Sequence, residues 1–425
     1  MIERVEEIDV ELLRSQFPAL YQSHNDRPVV FFDGPGGTQV PRTVLDAIVG
    51  YLGYSNANLG GHYFTSNITQ DLVTKARDYA AQLLNAQAGS QIVFGANMTT
   101  LTFALSRCIG RDWQAGDEVV ISCLDHFANV SSWQAIASDR SADVRQARVD
   151  VETGGVDIDH LISLITPSTK LVALTMASNV TGTLVEVQRV IEAAKQVGAL
   201  VYLDAVHYVP HRLVDVQALG CDFLVCSAYK FFGPHLGIAY IAQQHLERLH
   251  PYKVAPAPSQ GPGRFETGTL NFESLAGFCA AVDYLAAISG TEAYVSEGSG
   301  MQGTLRVRLE RSFSLIARHE SRLSKHFLKM LTRLPGIKVF GHTLPNYELR
   351  TPTFALDIAD LSPHQVAKVL GEHNLCVWSG HFYAPDLIEQ LGCEQKGGVV
   401  RVGMMHYNTL AEIDRLEQAL VSLLE

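Results

Sequence analysis

The sequence predicts an α/β fold, with a large domain built on a mostly parallel seven-stranded sheet and a smaller α+β domain behind it. Three observations carry this. Seven short apolar runs alternate with stretches of helical periodicity between residues 92 and 241. The runs are near-continuously apolar rather than alternating, as expected of strands covered on both faces. Beyond about residue 300 the alternation gives way to one long helical pattern followed by a few strands and helices. A chain of 425 residues has room for two domains.

Bulk composition narrows the function. Hydrophobic residues make up 47% and charged residues 18%, and the formal net charge is −11. An acidic chain without clustered Lys and Arg is not expected to bind nucleic acid. The N-terminal MIERVEEIDVELL lacks a signal-peptide pattern, and no run approaches the ~18 apolar residues of a membrane span. The seven cysteines form no C-x-x-C pair, so free thiols in a reducing cytoplasm are expected rather than disulfides or zinc.

In chain order, residues 1–24 read as an N-terminal arm packing with the small domain, with a helix near Asp9 to Ser15. Residues 25–295 read as the large domain and 296–425 as the small one. Val29 to Phe32 is a brief apolar run ending in Asp33-Gly34-Pro35-Gly36-Gly37, whose glycines allow close backbone approach to a ligand. No G-x-G-x-x-G follows a strand, which argues against a dinucleotide site. Helices are predicted over Thr43–Tyr54 and Thr69–Leu84, around a polar loop containing Asn58. The seven sheet strands are Ile92–Gly95, Glu118–Ser122, Val144–Val149, Leu171–Thr175, Leu200–Leu203, Phe223–Cys226 and Leu236–Ile241. Leu184–Val197 places Val187, Val190, Ile191 and Ala194 on one helical face. In the small domain a helix runs from about Gly300 to Leu334. Strands follow at Ile337–Phe340, Thr353–Ile358, Leu375–Val377 and Val399–Gly403, with helices over Pro363–His373 and Leu410–Leu424.

Candidate site residues gather where these strands end, which is where parallel sheets bind ligands. Lys230 follows a buried strand, and lysine is seldom buried unless its amine is used. Asp204 ends the preceding strand. Met98 and Thr99 open a helix, where free N–H groups and a hydroxyl suit a phosphate, although plain N-capping is the stronger reading of this stretch taken alone. Ser227 and Tyr229 flank the lysine. His126 and Asn179 stand at two further strand ends. An acid, a stackable imidazole, a phosphate cup and an amine together suit pyridoxal 5'-phosphate, held by a Schiff base to lysine and acting as an electron sink. His207 and His211 have metal-ligand spacing, but Pro210 between them argues against a regular helix, so no metal site is expected.

The segments DHFANV, ASNVTGT, LDAVH, SAYKFFGP, RFETGT and VRVGMMHYNT, in this order, resemble the cysteine desulfurase branch of the class V aminotransferases. These are pyridoxal-phosphate enzymes of the fold-type I transferase fold, and the resemblance covers residues 28 to 420. It implies that Lys230 forms the Schiff base, Asp204 pairs with the pyridine nitrogen, and His126 stacks on the ring and relays protons. It implies that Met98, Thr99, Ser227 and Tyr229 hold the phosphate and that Asn179 lies near the phenolic oxygen. It also implies a homodimer in which Thr269 reaches the neighbouring subunit's phosphate, and a substrate carboxylate clamp at Arg401.

The departures from the family pattern bear on function. His207 stands where desulfurases usually carry glutamine, and Tyr229 where they carry histidine. Asn58-Leu59 replaces a His-Arg pair near the substrate, and Trp378 replaces a basic residue. Tyr383 occupies the place of the persulfide-forming cysteine. The resulting expectation is a cytoplasmic enzyme acting at Cα and Cβ of a small amino acid, cleaving a C–S bond by β-elimination without a persulfide. Transamination, epimerisation and desulfuration through another thiol such as Cys376 or Cys393 remain as alternatives.

Overall fold

The computed structural model describes residues 7–290, 303–344, 346–358 and 360–425. The expected domain boundary at 295–296 and the expected helix start near Gly300 lie outside the described residues.

A short arm comes first. Helix α1 (Val10–Arg14) is capped by Asp9, whose carboxylate accepts the Leu12 N–H at 3.0 Å. Arg14 donates to the Tyr407 carbonyl at 2.7 Å and pairs with Glu412 at 2.9 Å. Phe17 packs edge-on against both Tyr284 and Tyr407. Val30–Phe31 then pairs in parallel with Leu375–Cys376, so the chain joins the small domain before entering the large one.

Helices α2 (Arg42–Tyr54) and α3 (Phe64–Leu84) follow. The second starts five residues earlier than its periodicity predicts, because the polar Thr65, Ser66 and Asn67 still fit a first turn. The large sheet comprises β1 (Ile92–Gly95), β2 (Glu118–Ser122), β3 (Asp143–Ala147), β4 (Thr169–Thr175), β5 (Leu200–Asp204), β6 (Phe223–Ser227) and β7 (Gly237–Ile241). Their order is β1-β7-β6-β5-β4-β2-β3. All run parallel except β7, which is antiparallel to both neighbours. The link over 228–236 is too short for a parallel crossover, which needs about a dozen residues. Val149 does not extend β3 as expected but turns away to pair with Val156.

Helices α4 (Met98–Ile109), α5 (Ala128–Arg140) and α6 (Val187–Val197) pack on the sheet. In α6 the predicted stripe Val187, Val190, Ile191 and Ala194 is buried, and Gly198 ends the helix at φ 76°, a conformation only glycine adopts readily.

Helix α7 (Phe272–Ala287) is a core helix that the sequence reading did not assign. Residues Phe272–Gly290 are long and apolar enough to cross a membrane, with mean hydropathy 1.3. The physical reason is internal: two-thirds of the stretch is buried in the protein, where it packs against α2 and α3.

The small domain holds α8 (Leu305–Leu331), α9 (Pro363–Glu372) and α10 (Leu410–Leu424). They cover an antiparallel sheet of β8 (Ile337–Phe340), β9 (Thr353–Ile358), β10 (Trp378–Gly380) and β11 (Val399–Gly403), ordered β8-β9-β11-β10. Its core of Phe327, Phe354, Leu356, Leu370 and Val402 is separate from the cores on the two faces of the large sheet.

Candidate active site

One cavity opens at the carboxyl ends of the parallel strands, and nine of the predicted residues line it: Met98, Thr99, His126, Asn179, Asp204, His207, Ser227, Tyr229 and Lys230. Each reaches it from a strand end. Beyond β6 a single 3₁₀ turn (Ala228–Lys230) lifts Lys230 off the sheet, anchored where the Ala228 N–H meets the Leu236 carbonyl at 2.9 Å. The glycine-rich segment after Asp33 locks this turn from above. The Thr38 N–H donates to the Tyr229 carbonyl, the Thr38 hydroxyl accepts the Phe232 N–H at 2.8 Å, and the lysine Nζ donates to the Pro35 carbonyl.

The lysine's surroundings make it a nucleophile. Burial, then the nearby Arg401 charge, push its pKa down to about 7, while Asp204 and Asp33 oppose the shift. Much of the amine is therefore neutral at neutral pH. Asp204 is buried at the end of β5, where its Oδ1 accepts the Val206 N–H at 2.8 Å. Burial raises it to about 6, so it remains mostly a carboxylate at neutral pH.

His126 follows β2, and its Nδ1 accepts the Ala128 N–H at 3.0 Å. Burial and the Lys230 and Arg401 charges lower its pKa to about 4. The ring is therefore neutral, with its proton on Nε2. At the other end of the cavity α4 presents its N-terminus. Asn97 caps the helix through the Thr100 N–H at 2.8 Å, and the Met98 N–H donates to Ser227 Oγ at 3.1 Å. The capping role considered for Thr99 thus falls to Asn97, leaving the exposed Thr99 hydroxyl beside a positive helix end. Gly237 makes this approach possible, since a Cβ there would lie 2.4 Å from the Asn97 carbonyl carbon.

Arg401 enters from β11, buried, with Nη1 donating to the Asn179 carbonyl at 2.8 Å and the guanidinium 4.1 Å from the Phe382 ring centroid. Its Nε is buried without a partner. Phe382 and Tyr383 both adopt left-handed backbone, φ 51° and 57°, held by the Asn179 amide on the Phe382 carbonyl and the Phe127 N–H on the Tyr383 carbonyl. Tyr383 thereby lies over His126 while most of its surface stays exposed.

Two predicted residues stand apart. Asn58 and Thr269 are exposed on loops and do not line the cavity within the one chain. Sequence reasoning also missed two carboxylates. Asp33 was read only for the glycines after it, yet its Oδ1 is buried without a partner and burial lifts its pKa to about 6 against Arg401 and Lys230. Asp125 was passed over for His126. It is buried between Ser122 Oγ at 2.5 Å and Asn129 Nδ2 at 2.7 Å, and burial, aided by Asp204, raises it to about 8. The Asp-His order was the available signal, but nothing local marks that carboxyl as buried.

A neutralised lysine, a buried carboxylate and a helix N-terminus around one cavity define an enzyme that binds a phosphorylated carbonyl compound through a Schiff base. Comparison gives the family. The chain matches the family model described as Aminotransferase class-V over residues 30–312 and 289–416. It is 32% identical to the aminotransferase-like protein FGM3 of Gibberella zeae, across 97% of each chain. It is 31% identical to a cysteine desulfurase of Synechococcus elongatus, across 97% of this chain but 63% of that one. The apo structure of a cysteine desulfurase from Thermococcus onnurineus shares the fold, with TM-score 0.85 at 24% identity over 99% of both chains. The chain is a cysteine desulfurase-like member of the class V aminotransferase family, whose enzymes use pyridoxal phosphate.

The residues present fit that cofactor. The lysine is about half unprotonated near neutral pH, a carboxylate and a helix N-terminus share its cavity, and the Asn179 Oδ1 is a buried acceptor still without a partner.

Proposed function

We propose that the chain is a pyridoxal-phosphate-dependent C–S lyase, cleaving the β-carbon–sulfur bond of a small amino acid by elimination without a protein persulfide. The observation that carries this reading is the lining of the cavity. Tyr383, which the family resemblance aligns with the persulfide cysteine, stacks on the cavity residue His126, and among the described residues no cysteine lines the cavity. Cys376 and Cys393 lie off the cavity, and burial raises both thiols, Cys376 to about 11. Sulfur transfer needs a thiolate, so both are poor acceptors.

Bound pyridoxal phosphate supplies an electron sink for the bond pair released at Cα. Asp204 would hold the ring nitrogen's proton, Ser227, Thr99, Tyr229 and the Met98 N–H would receive the phosphate, and Asn179 and His207 would lie toward the phenolic oxygen, with His126 against the ring. Arg401 binds the substrate carboxylate through two donors. Lys230 Nζ would accept the α-proton of the bound amino acid, and sulfur would leave from Cβ as a thiolate, taking the C–S bond pair as the Cα–Cβ double bond forms. With cysteine as substrate and one water consumed, the products are sulfide, pyruvate and ammonia.

The same reading makes the enzyme a cytoplasmic homodimer of chains with an arm (1–24), a large domain (25–295) and a small domain (296–425). Thr269 would reach the partner's phosphate, and Asn58 would approach a substrate. Exposed apolar residues on α2 and at the start of α3, including Val49, Leu52, Tyr54 and Phe64, support such an interface. The test is product identification after incubation with L-cysteine. Pyruvate and sulfide in equal amounts support elimination, whereas alanine as the sole carbon product overturns it.

A further inference from the structure

A buried acid–base pair lies behind the cavity, and the chemistry described so far leaves it unused. Glu320 sits on the core-facing side of α8, fully buried among Phe313, Ile316, Leu323 and Phe327. Both its oxygens lie 3.0 Å from His211 Nδ1. The opposite nitrogen, His211 Nε2, is buried and has no partner. The His211 ring meets His207 edge-to-face at 5.3 Å, and His207 lines the cavity with its Nε2 tied to Thr351 Oγ1 at 3.1 Å. A carboxyl and two imidazoles thus run from the interior of α8 to the cofactor site.

Burying such groups is costly. Taking a carboxylate out of water costs several kcal/mol, and an apolar residue of similar size is often as stable or better. Burial raises the Glu320 pKa against the pull of His211 and holds His207 well below the ordinary imidazole range. His207 stands on the turn that begins at Asp204, where the Tyr208 and Val209 N–H groups return to the Ala205 carbonyl. Any group that fixes His207 therefore acts on the same turn that carries the carboxylate of the site.

We propose that His207 contacts the cofactor's phenolic oxygen through Nδ1, and that His211 and Glu320 are positioning residues which set the orientation and proton affinity of its ring. This rests on the cofactor reading above. The charged and titratable groups around the chain of three are Lys230 and Arg401 on the cavity side of His207. Around His211 and Glu320 they are Arg212, Tyr347 and His406. None of these donates to or accepts from the His207 ring in the structure, and the His211 ring is the group that touches both Glu320 and His207.

The test is the pH titration of the visible absorption band of the protein loaded with pyridoxal phosphate, which needs no turnover. His207→Phe is expected to move the midpoint by about one unit, a tenfold change in proton affinity, and His207→Gln by much less because the amide keeps a donor. Glu320→Gln is expected to move it by at least about half a unit, and this shift should vanish in the His207→Phe background, since coupled residues are non-additive. Should Glu320→Gln fail to fold, His211→Gln reads the same coupling. A Glu320→Gln shift that persists undiminished with His207→Phe overturns the proposal, and so does an unmoved midpoint in the single variants. A wild type with no visible band overturns the cofactor reading itself, an outcome distinct from either.

Discussion

The Tyr383 ring stacks on His126 at 5.2 Å between centroids and 28° between planes. The ring rests on a backbone in the left-handed region at two successive non-glycine residues. Such conformations cost of order 1–3 kcal/mol each and persist only where the surroundings enforce them. Here the Phe127 N–H and the Asn179 amide enforce them. The loop is therefore built to hold the Tyr383 ring over the imidazole.

Removing that ring should have a modest, local effect. An aromatic pair contributes about 0.5–1.5 kcal/mol beyond area burial. Tyr383→Ala is expected to lower kcat/KM by roughly threefold to tenfold. Cofactor affinity should hold, because the His126 ring keeps its Ala128 hydrogen bond. Steady-state kinetics and a cofactor binding titration check both halves of the statement.

Lys230 should carry a stability cost in the cofactor-free protein. Its pKa falls from 10.5 to about 7 on folding. Below pH 7 both states hold the proton and the cost is full. Between pH 7 and 10.5 the unfolded chain keeps a proton that the folded chain has released, so stability rises with pH across that window. Lys230→Met should therefore raise the urea midpoint of the cofactor-free protein at pH 7, by on the order of a few kcal/mol in free energy. The gain should shrink toward pH 10, and an equal gain at both pH values would contradict the burial argument. The loaded variant should also lack the visible band.

In the proposed mechanism Arg401 would bind the substrate carboxylate through a planar fork that lysine cannot reproduce. Arg401→Lys keeps the charge but loses the paired donors, so KM for the amino acid should rise about tenfold to a hundredfold with a smaller change in kcat. An amine analogue without the carboxylate should bind the variant and the parent equally.

Much of this site is legible in the chain itself. Apolar runs ending in Asp204 and Ser227 mark β5 and β6 because buried strands must be apolar throughout, and a lysine just beyond them stands out. What escapes are groups whose meaning depends on distant burial. Glu320 is one glutamate among the charges of an amphipathic helix until His211, 109 residues away in sequence, meets it. Asp33 and Asp125 likewise lie beside more conspicuous neighbours. The direction of β7 was within reach, since the link after Lys230 is too short to cross over. The burial of α7 was not, because apolar composition alone does not distinguish lipid from protein surroundings.

The central claim is that sulfur leaves the substrate without passing through the protein. Its most direct test is the intact mass of the enzyme trapped after turnover of L-cysteine with no reductant present, followed by mapping of all seven cysteines. The account predicts unmodified protein alongside free sulfide. One added sulfur atom on Cys376, Cys393 or any other cysteine, appearing at the rate of turnover, would contradict it.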